Sequence, residues 1–159
     1  MNKNELVQAL KQQLEKDLLI IKQAALKTYE DATHEENKPE NKYDTRALEA
    51  SYLAGAQAQR VKDIEELISI CKFLQIKNFN ETDGISASAL VEVSSNDKTS
   101  WLFFLPKGGG FFVTFADKKI QIITPASPLG KSLLGLTVGD TAKVETNGKR
   151  HEYDIVSIC

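Results

Sequence analysis

The chain has 159 residues, 42% of them hydrophobic and 26% charged, an ordinary composition for one globular domain or two small ones. Lys plus Arg number 20 against 22 for Asp plus Glu, so the net charge is -2, a balance that argues against a sequence-independent DNA binder with its basic face. No apolar run approaches the roughly 18 residues of a membrane span. The polar start Met1-Asn2-Lys3-Asn4-Glu5 does not resemble a secretory signal, and Cys71 and Cys159 make neither a disulfide framework nor a metal knuckle. A cytoplasmic protein without a membrane partner is expected.

Composition changes abruptly near residue 76. Before it lie one glycine, Gly55, and one proline, Pro39; the other eight glycines come after it. The first part therefore reads as helix and the second as strand and turn. Val7, Leu10, Leu14, Leu18, Ile21 and Ala25 recur at spacings of three and four, one stripe of an amphipathic helix. A second stripe takes in Leu53, Ala56, Ile64, Leu67, Cys71 and Leu74. Between them runs a polar stretch, residues 33–44, in which Pro39 breaks any continuous helix. The two stripes predict an antiparallel helical hairpin, a short coiled coil over residues 1–75, whose arms of about 30 residues would each be about 45 Å long.

Six strands are predicted next: 89–93, 101–105, 111–115, 119–123, 142–146 and 153–158. Lys107-Gly108-Gly109-Gly110 and Asn147-Gly148 supply turns, the latter a strong hairpin signal. Residues 127–135, beginning Ser127-Pro128 and closing at Gly135, read as a short capped helix. The expected class is α+β: the hairpin over 1–75, then an antiparallel β domain with a short helix over 76–159.

Most of the apparent chemistry dissolves on inspection. Gly130-Lys131-Ser132 ends like a phosphate loop, but Pro125 stands where that motif requires glycine. Trp101, Phe103, Phe104, Phe111, Phe112 and Phe115 could stack bases, yet the accompanying basic residues are sparse and sheet core is the better reading. His34 and His151 have no metal or nucleophile–base spacing. What remains is the hairpin tip, where Glu35, Glu36, Glu40 and Asp44 crowd into ten residues. They form either a solvated turn or a set of hard oxygen ligands suited to Mg²⁺ held partly by another molecule.

At this point the residues resemble a known family, the bacterial Gre-type (GreA/GreB) transcript cleavage factors. Ser127-Pro128-Leu129-Gly130-Lys131-Ser132-Leu133-Leu134-Gly135, followed by Gly139-Asp140, resembles the family's C-terminal signature, and 144–155 continues it in register. The first part is similar to the family's N-terminal coiled coil in length, plan and polar tip. The resemblance implies an FKBP-like globular domain that docks on RNA polymerase, with Ser127, Pro128, Leu129, Gly130 and Lys131 as docking residues. It also implies a hairpin that reaches down the secondary channel. The protein would then be an accessory factor and a monomer. It would meet nucleic acid only through the elongation complex, and the polymerase would cut the transcript with its own metals. Prolyl isomerase activity is not implied, because a fold alone does not carry it.

For the tip, the resemblance implies that Glu40, assisted by Glu36, shares a Mg²⁺ held mainly by the polymerase, with none bound by the protein alone. Asn37, Asn41, Tyr43 and Asp44 accompany them. Aligned on Glu40-Asn41, this chain has Asn37 where cleavage-active members carry the first of two acids. Lys38-Pro39 replaces the residues between, and Tyr43 comes one residue early. A neutral Asn ligates only through its carbonyl, so weakened metal affinity is expected. The alternative outcome is a channel regulator that does not promote cleavage.

Overall fold

The computed structural model describes residues 1–33, 46–146 and 148–159. Two long helices come first, α1 (Lys3–Thr33) and α2 (Arg46–Phe73). Asn2 caps α1: its Oδ1 accepts from the N–H of Asn4 at 3.0 Å and of Glu5 at 3.4 Å. Its Nδ2 donates to Glu5 Oε1 at 2.8 Å, a reciprocal arrangement close to a capping box. The expected α1 stripe holds, with Val7, Leu10 and Leu14 buried and Leu18, Ile21 and Ala25 half-buried.

The α2 stripe holds only in its second half. Ile64 and Cys71 are buried, but Leu53 is 53% exposed and Ala56 also faces solvent. Stepping back from Ile64 by helical spacings reaches Val61, Gln57 and Ala54, and these half-buried residues form the inner face instead. The sequence reading followed residue size where helical phase decides. Leu53→Ala should accordingly shift stability by less than about 0.5 kcal/mol, whereas Ile64→Ala should cost about 2 to 4 kcal/mol. Paired thermal melts check the contrast.

Two compact units emerge, one of Met1–Leu10 with Ile70–Cys159 and the other of Lys11–Ser69. They divide at 10/11 and 69/70, so the first turns of α1 and the end of α2 fall in the unit that holds the strands. The start of α1 and the end of α2 thus share a unit, which makes the helices antiparallel. Within the helical unit Lys22 Nζ meets Glu65 at 2.6 Å.

The other unit contains a six-stranded sheet: β1 (Leu90–Ser95), β2 (Lys98–Phe104), β3 (Phe111–Phe115), β4 (Lys118–Ile123), β5 (Thr141–Thr146) and β6 (Lys149–Ile158). The spatial order is β3-β4-β2-β1-β6-β5, and a short helix α3 (Pro128–Leu133) falls between β4 and β5 in the chain. All the expected strands are present, and the class is α+β. The sheet is mixed, however: β2 and β4 pair in parallel, with Trp101 opposite Ile120 and Phe103 opposite Ile122. The glycine run 108–110 is therefore not a hairpin turn between neighbours. It carries the chain across the end of β4, which inserts between β2 and β3. Leu105 N–H donates to Ile123 O and Gly110 N–H to Ile122 O, both at 2.9 Å, and fix this crossover.

Two tight turns were not read from sequence. Asn96-Asp97 joins β1 to β2 and Ala116-Asp117 joins β3 to β4, all four residues having φ between 49° and 58°. Paired positive φ values are those of a type I′ turn, which matches the strand twist. Burial on both sheet faces explains the aromatic density of the strands. One face carries Val91, Val93, Leu102, Phe104 and Ile123 in a cluster with Leu133 of α3; by alternation Leu90, Phe103, Val113, Ile120 and Ile122 lie on the other.

Candidate functional site

The segment that carries the sequence signature is built around one carbonyl. Thr124 O accepts the backbone N–H of Ser127 at 3.0 Å and the Ser127 hydroxyl at 2.8 Å. The same hydroxyl oxygen accepts the N–H of Gly130 at 3.0 Å, so Ser127 is the N-cap of α3. Pro128 follows at the start of the helix, where its missing N–H costs nothing. Gly130 is required by space: a Cβ there would lie 1.9 Å from Thr124 O. The helix ends at Leu134, and Gly135, at φ +80°, donates its N–H to Ile85 O at 2.8 Å. The motif thus clamps a one-and-a-half-turn helix to the end of β4.

That clamp divides the expected docking residues by role. Ser127 and Gly130 hold the local structure; Pro128 and Lys131 are exposed; Leu129 is half-buried against the core cluster. Beside them opens a groove of about 540 Å³, walled by Pro128 and Leu129 on one side and by Gln121, Ile123, Val144 and Tyr153 from the sheet. Gly109 and Gly110 close one end. A Cβ on Gly109 would come within 3.1 Å of Ile122 O, so the crossover can lie this close to β4 only with glycine there. Gln121, Val144 and Tyr153 were not expected as docking residues from sequence. They reach the groove from β4, β5 and β6, and only the insertion of β4 beside β2 brings them together.

The groove has no acid–base or nucleophilic constellation. Its lining sets apolar Ile123, Pro128, Leu129 and Val144 beside polar Gln121, Thr124 and Tyr153, suited to holding a protein surface and not to bond cleavage. The phosphate-loop reading fails structurally too, since the Gly130 N–H is already taken by Ser127. Among the described residues no three His, Cys, Asp or Glu side chains gather to hold a metal, and no helix is long and apolar enough to cross a membrane. Glu36, Asn37, Glu40, Asn41, Tyr43 and Asp44 lie outside the described residues.

Two titratable groups depart from ordinary values. Burial pulls the Lys3 ammonium below the usual lysine range, partly offset by Cys159. That ammonium donates to Lys77 O and lies 4.7 Å from the Phe79 ring centroid, pinning the start of α1 to the segment after α2. Asp140 is held below the usual carboxylate range by the Thr137 N–H at 2.8 Å and the Thr137 hydroxyl at 3.0 Å. Both shifts belong to structural contacts outside the groove.

Residues 114–159, which contain the clamp and most of the groove, match the family model described as transcription elongation factor, GreA/GreB, C-term. Transcription elongation factor GreA of Syntrophus aciditrophicus is 26% identical over 152 residues, covering 94% of this chain and 88% of that protein. The GreA of a Methylobacterium species is 29% identical over 117 residues, 69% of each chain. Among solved structures, GreA factor homolog 1 of Thermus thermophilus aligns over 98% of this chain and 94% of its own, at 22% identity and a TM-score of 0.39. The signature, the family model over residues 114–159 and the near full-length relative agree: this chain is similar to the Gre-type transcription elongation factors.

Proposed function

We propose that this protein binds RNA polymerase in its secondary channel through the α3 groove, and that its hairpin tip stimulates the polymerase to cleave backtracked transcripts. One observation carries the docking half: the residues that match the family are those that build the clamp and present Pro128, Leu129 and Lys131 beside an apolar groove. The cleavage half rests on the carboxylates of the tip sequence. Glu40 and Glu36 are hard oxygen donors of the kind Mg²⁺ prefers, and a metal shared with the polymerase would polarise the attacking water. The protein's part is to present acceptor oxygens and to remain docked. The protein alone would hydrolyse nothing, and the catalytic metals would stay with the polymerase.

A second reading has its own support. Asn37 replaces an acid, and Lys38 and Lys42 flank the remaining carboxylates, which lowers the pull on a cation. On that reading the protein occupies the channel and retunes transcription without promoting cleavage.

Docking is tested by titrating labelled protein with core RNA polymerase. Lys131→Glu, at an exposed position, should weaken binding about tenfold while leaving the melting temperature unchanged. Unaltered affinity would remove α3 from the interface.

A further inference from the structure

Large apolar side chains stand on the outside of the helical unit. Along α1, Leu19, Lys22, Leu26 and Tyr29 follow one another at spacings of three, four and three, so they share one side of the helix. Leu19, Leu26 and Tyr29 are 60%, 59% and 59% exposed. Along α2, Gly55, Ala58, Lys62 and Glu65 follow at the same three, four and three, and all are exposed. The Lys22–Glu65 ion pair spans the two helices, so both rows lie on one side of the hairpin. That side has a ridge on α1 beside a low strip on α2, where a Cβ added to Gly55 would meet nothing within 4 Å.

Heights along the hairpin match as well. The ion pair sets Lys22 level with Glu65, and the helices run antiparallel. Tyr29 lies seven residues after Lys22 and Ala58 seven before Glu65, so each stands about two turns from the pair in the same direction. Leu26 is level with Val61 and Lys62 by the same count.

From this match we infer that the free protein pairs with a second copy of itself through this side of the hairpin. A two-fold axis along the helices lays α1 of each copy on α2 of the other and leaves heights unchanged. Tyr29 and Leu26 of each copy then rest on Ala58 and the Lys62 stem of the other, the reciprocity that a two-fold interface requires. Lys22 of each copy falls over Glu65 of the other. Both side chains are about half exposed in their own bridge, at 51% and 49%, so the four charges close into a ring of alternating sign. Counting roughly 100 Å² for each ridge side chain and as much again for the strip it covers, the pair hides about 1,200 Å², the lower end for a specific interface. The dimer is therefore weak and reversible. It departs from the monomer that the family resemblance implies, and on the function proposed above it competes with docking of the hairpin on the polymerase.

The test is sedimentation of the intact protein from about 1 to 500 µM, where a dimer with a Kd on the order of tens of micromolar is expected. Leu26→Glu puts a charge into the contact and should weaken pairing at least about tenfold. Ile20→Glu is the control, because two residues from Lys22 turn it to the far side of α1, and it should leave pairing unchanged. Lys22→Glu sets like charges together and should weaken pairing by a similar factor. The double substitution Lys22→Glu, Glu65→Lys rebuilds the ring with its signs exchanged and should restore it. All four positions are exposed in the single copy, so folding is spared. A protein monomeric throughout that range, pairing indifferent to Leu26→Glu, or a loss in Lys22→Glu that the double substitution does not restore would each overturn the inference. So would a monomer whose polymerase affinity falls in Leu26→Glu, which would give this side of the hairpin to the polymerase.

Discussion

Glu40→Ala should abolish most stimulation of transcript cleavage, by about a hundredfold or more, while changing polymerase affinity less than about twofold. The two expectations come from the same carboxylate in two settings. An isolated surface charge is generally worth well under about 1 kcal/mol, so loss of this one should barely alter folding or docking. On the proposed reading, beside a metal in a water-poor channel, the same charge would act where charge develops in the transition state, and its removal would cost about several kcal/mol, of the order seen for oxyanion donors. The neighbouring substitutions sharpen the result. Asn37→Asp adds an acid to the tip and should raise cleavage or lower the Mg²⁺ requirement. Glu36→Ala should matter only if Glu36 has taken over the role that Asn37 lacks. Gel analysis of transcripts from a stalled polymerase reads all three variants. Unchanged cleavage in Glu40→Ala and in Asn37→Asp would make the tip a solvated turn.

The largest structural effect is expected at Gly130. A Cβ there would stand 1.9 Å from Thr124 O, far inside any real contact, and the atom it meets is backbone. That carbonyl is held by two donors from Ser127 and follows directly on β4, so it cannot retreat without breaking the clamp. Gly130→Ala should therefore cost about 3 kcal/mol and lower the melting temperature by about 10 °C. Polymerase binding should fall with it, because α3 would no longer be seated beside the groove. Gly55→Ala is the control. It lies within α2, where a Cβ meets nothing within 4 Å, and should stabilise by about 0.5 to 1 kcal/mol. Similar melting temperatures for the two variants would contradict the account of the clamp.

How much of this was legible in the sequence depends on the range of the interactions involved. The strands and α3 were readable because their signals are local: β-branched and aromatic runs, Ser127-Pro128 at a helix start, Gly135 at its end. The α1 seam was readable because large aliphatic residues happen to occupy it. Upper α2 was misread because Ala54 and Gln57 face inward while Leu53 faces water, an assignment set by helical phase through Ile64. Nothing local announces that β4 inserts between β2 and β3, since the strands themselves look the same in either order. The groove inherits that difficulty: its clamp residues were identifiable, whereas Gln121, Val144 and Tyr153 join it only through sheet order. The stacking of Lys118 on Trp101 and of Lys119 on Phe112 is a third case. The lysines looked sparse along the chain, yet parallel pairing of β2 with β4 sets Trp101 beside Ile120, within reach of Lys118.

The central claim, that this chain makes the polymerase cut its own backtracked transcript, is most directly tested in one reaction. RNA polymerase is stalled on a template, its transcript labelled at the 5′ end, and Mg²⁺ added with and without the purified protein. The account predicts shortened 5′-labelled RNA only when the protein is present, and none from free RNA incubated with the protein alone. Saturating, verified binding of the protein to the stalled complex with no shortening of the transcript would contradict it.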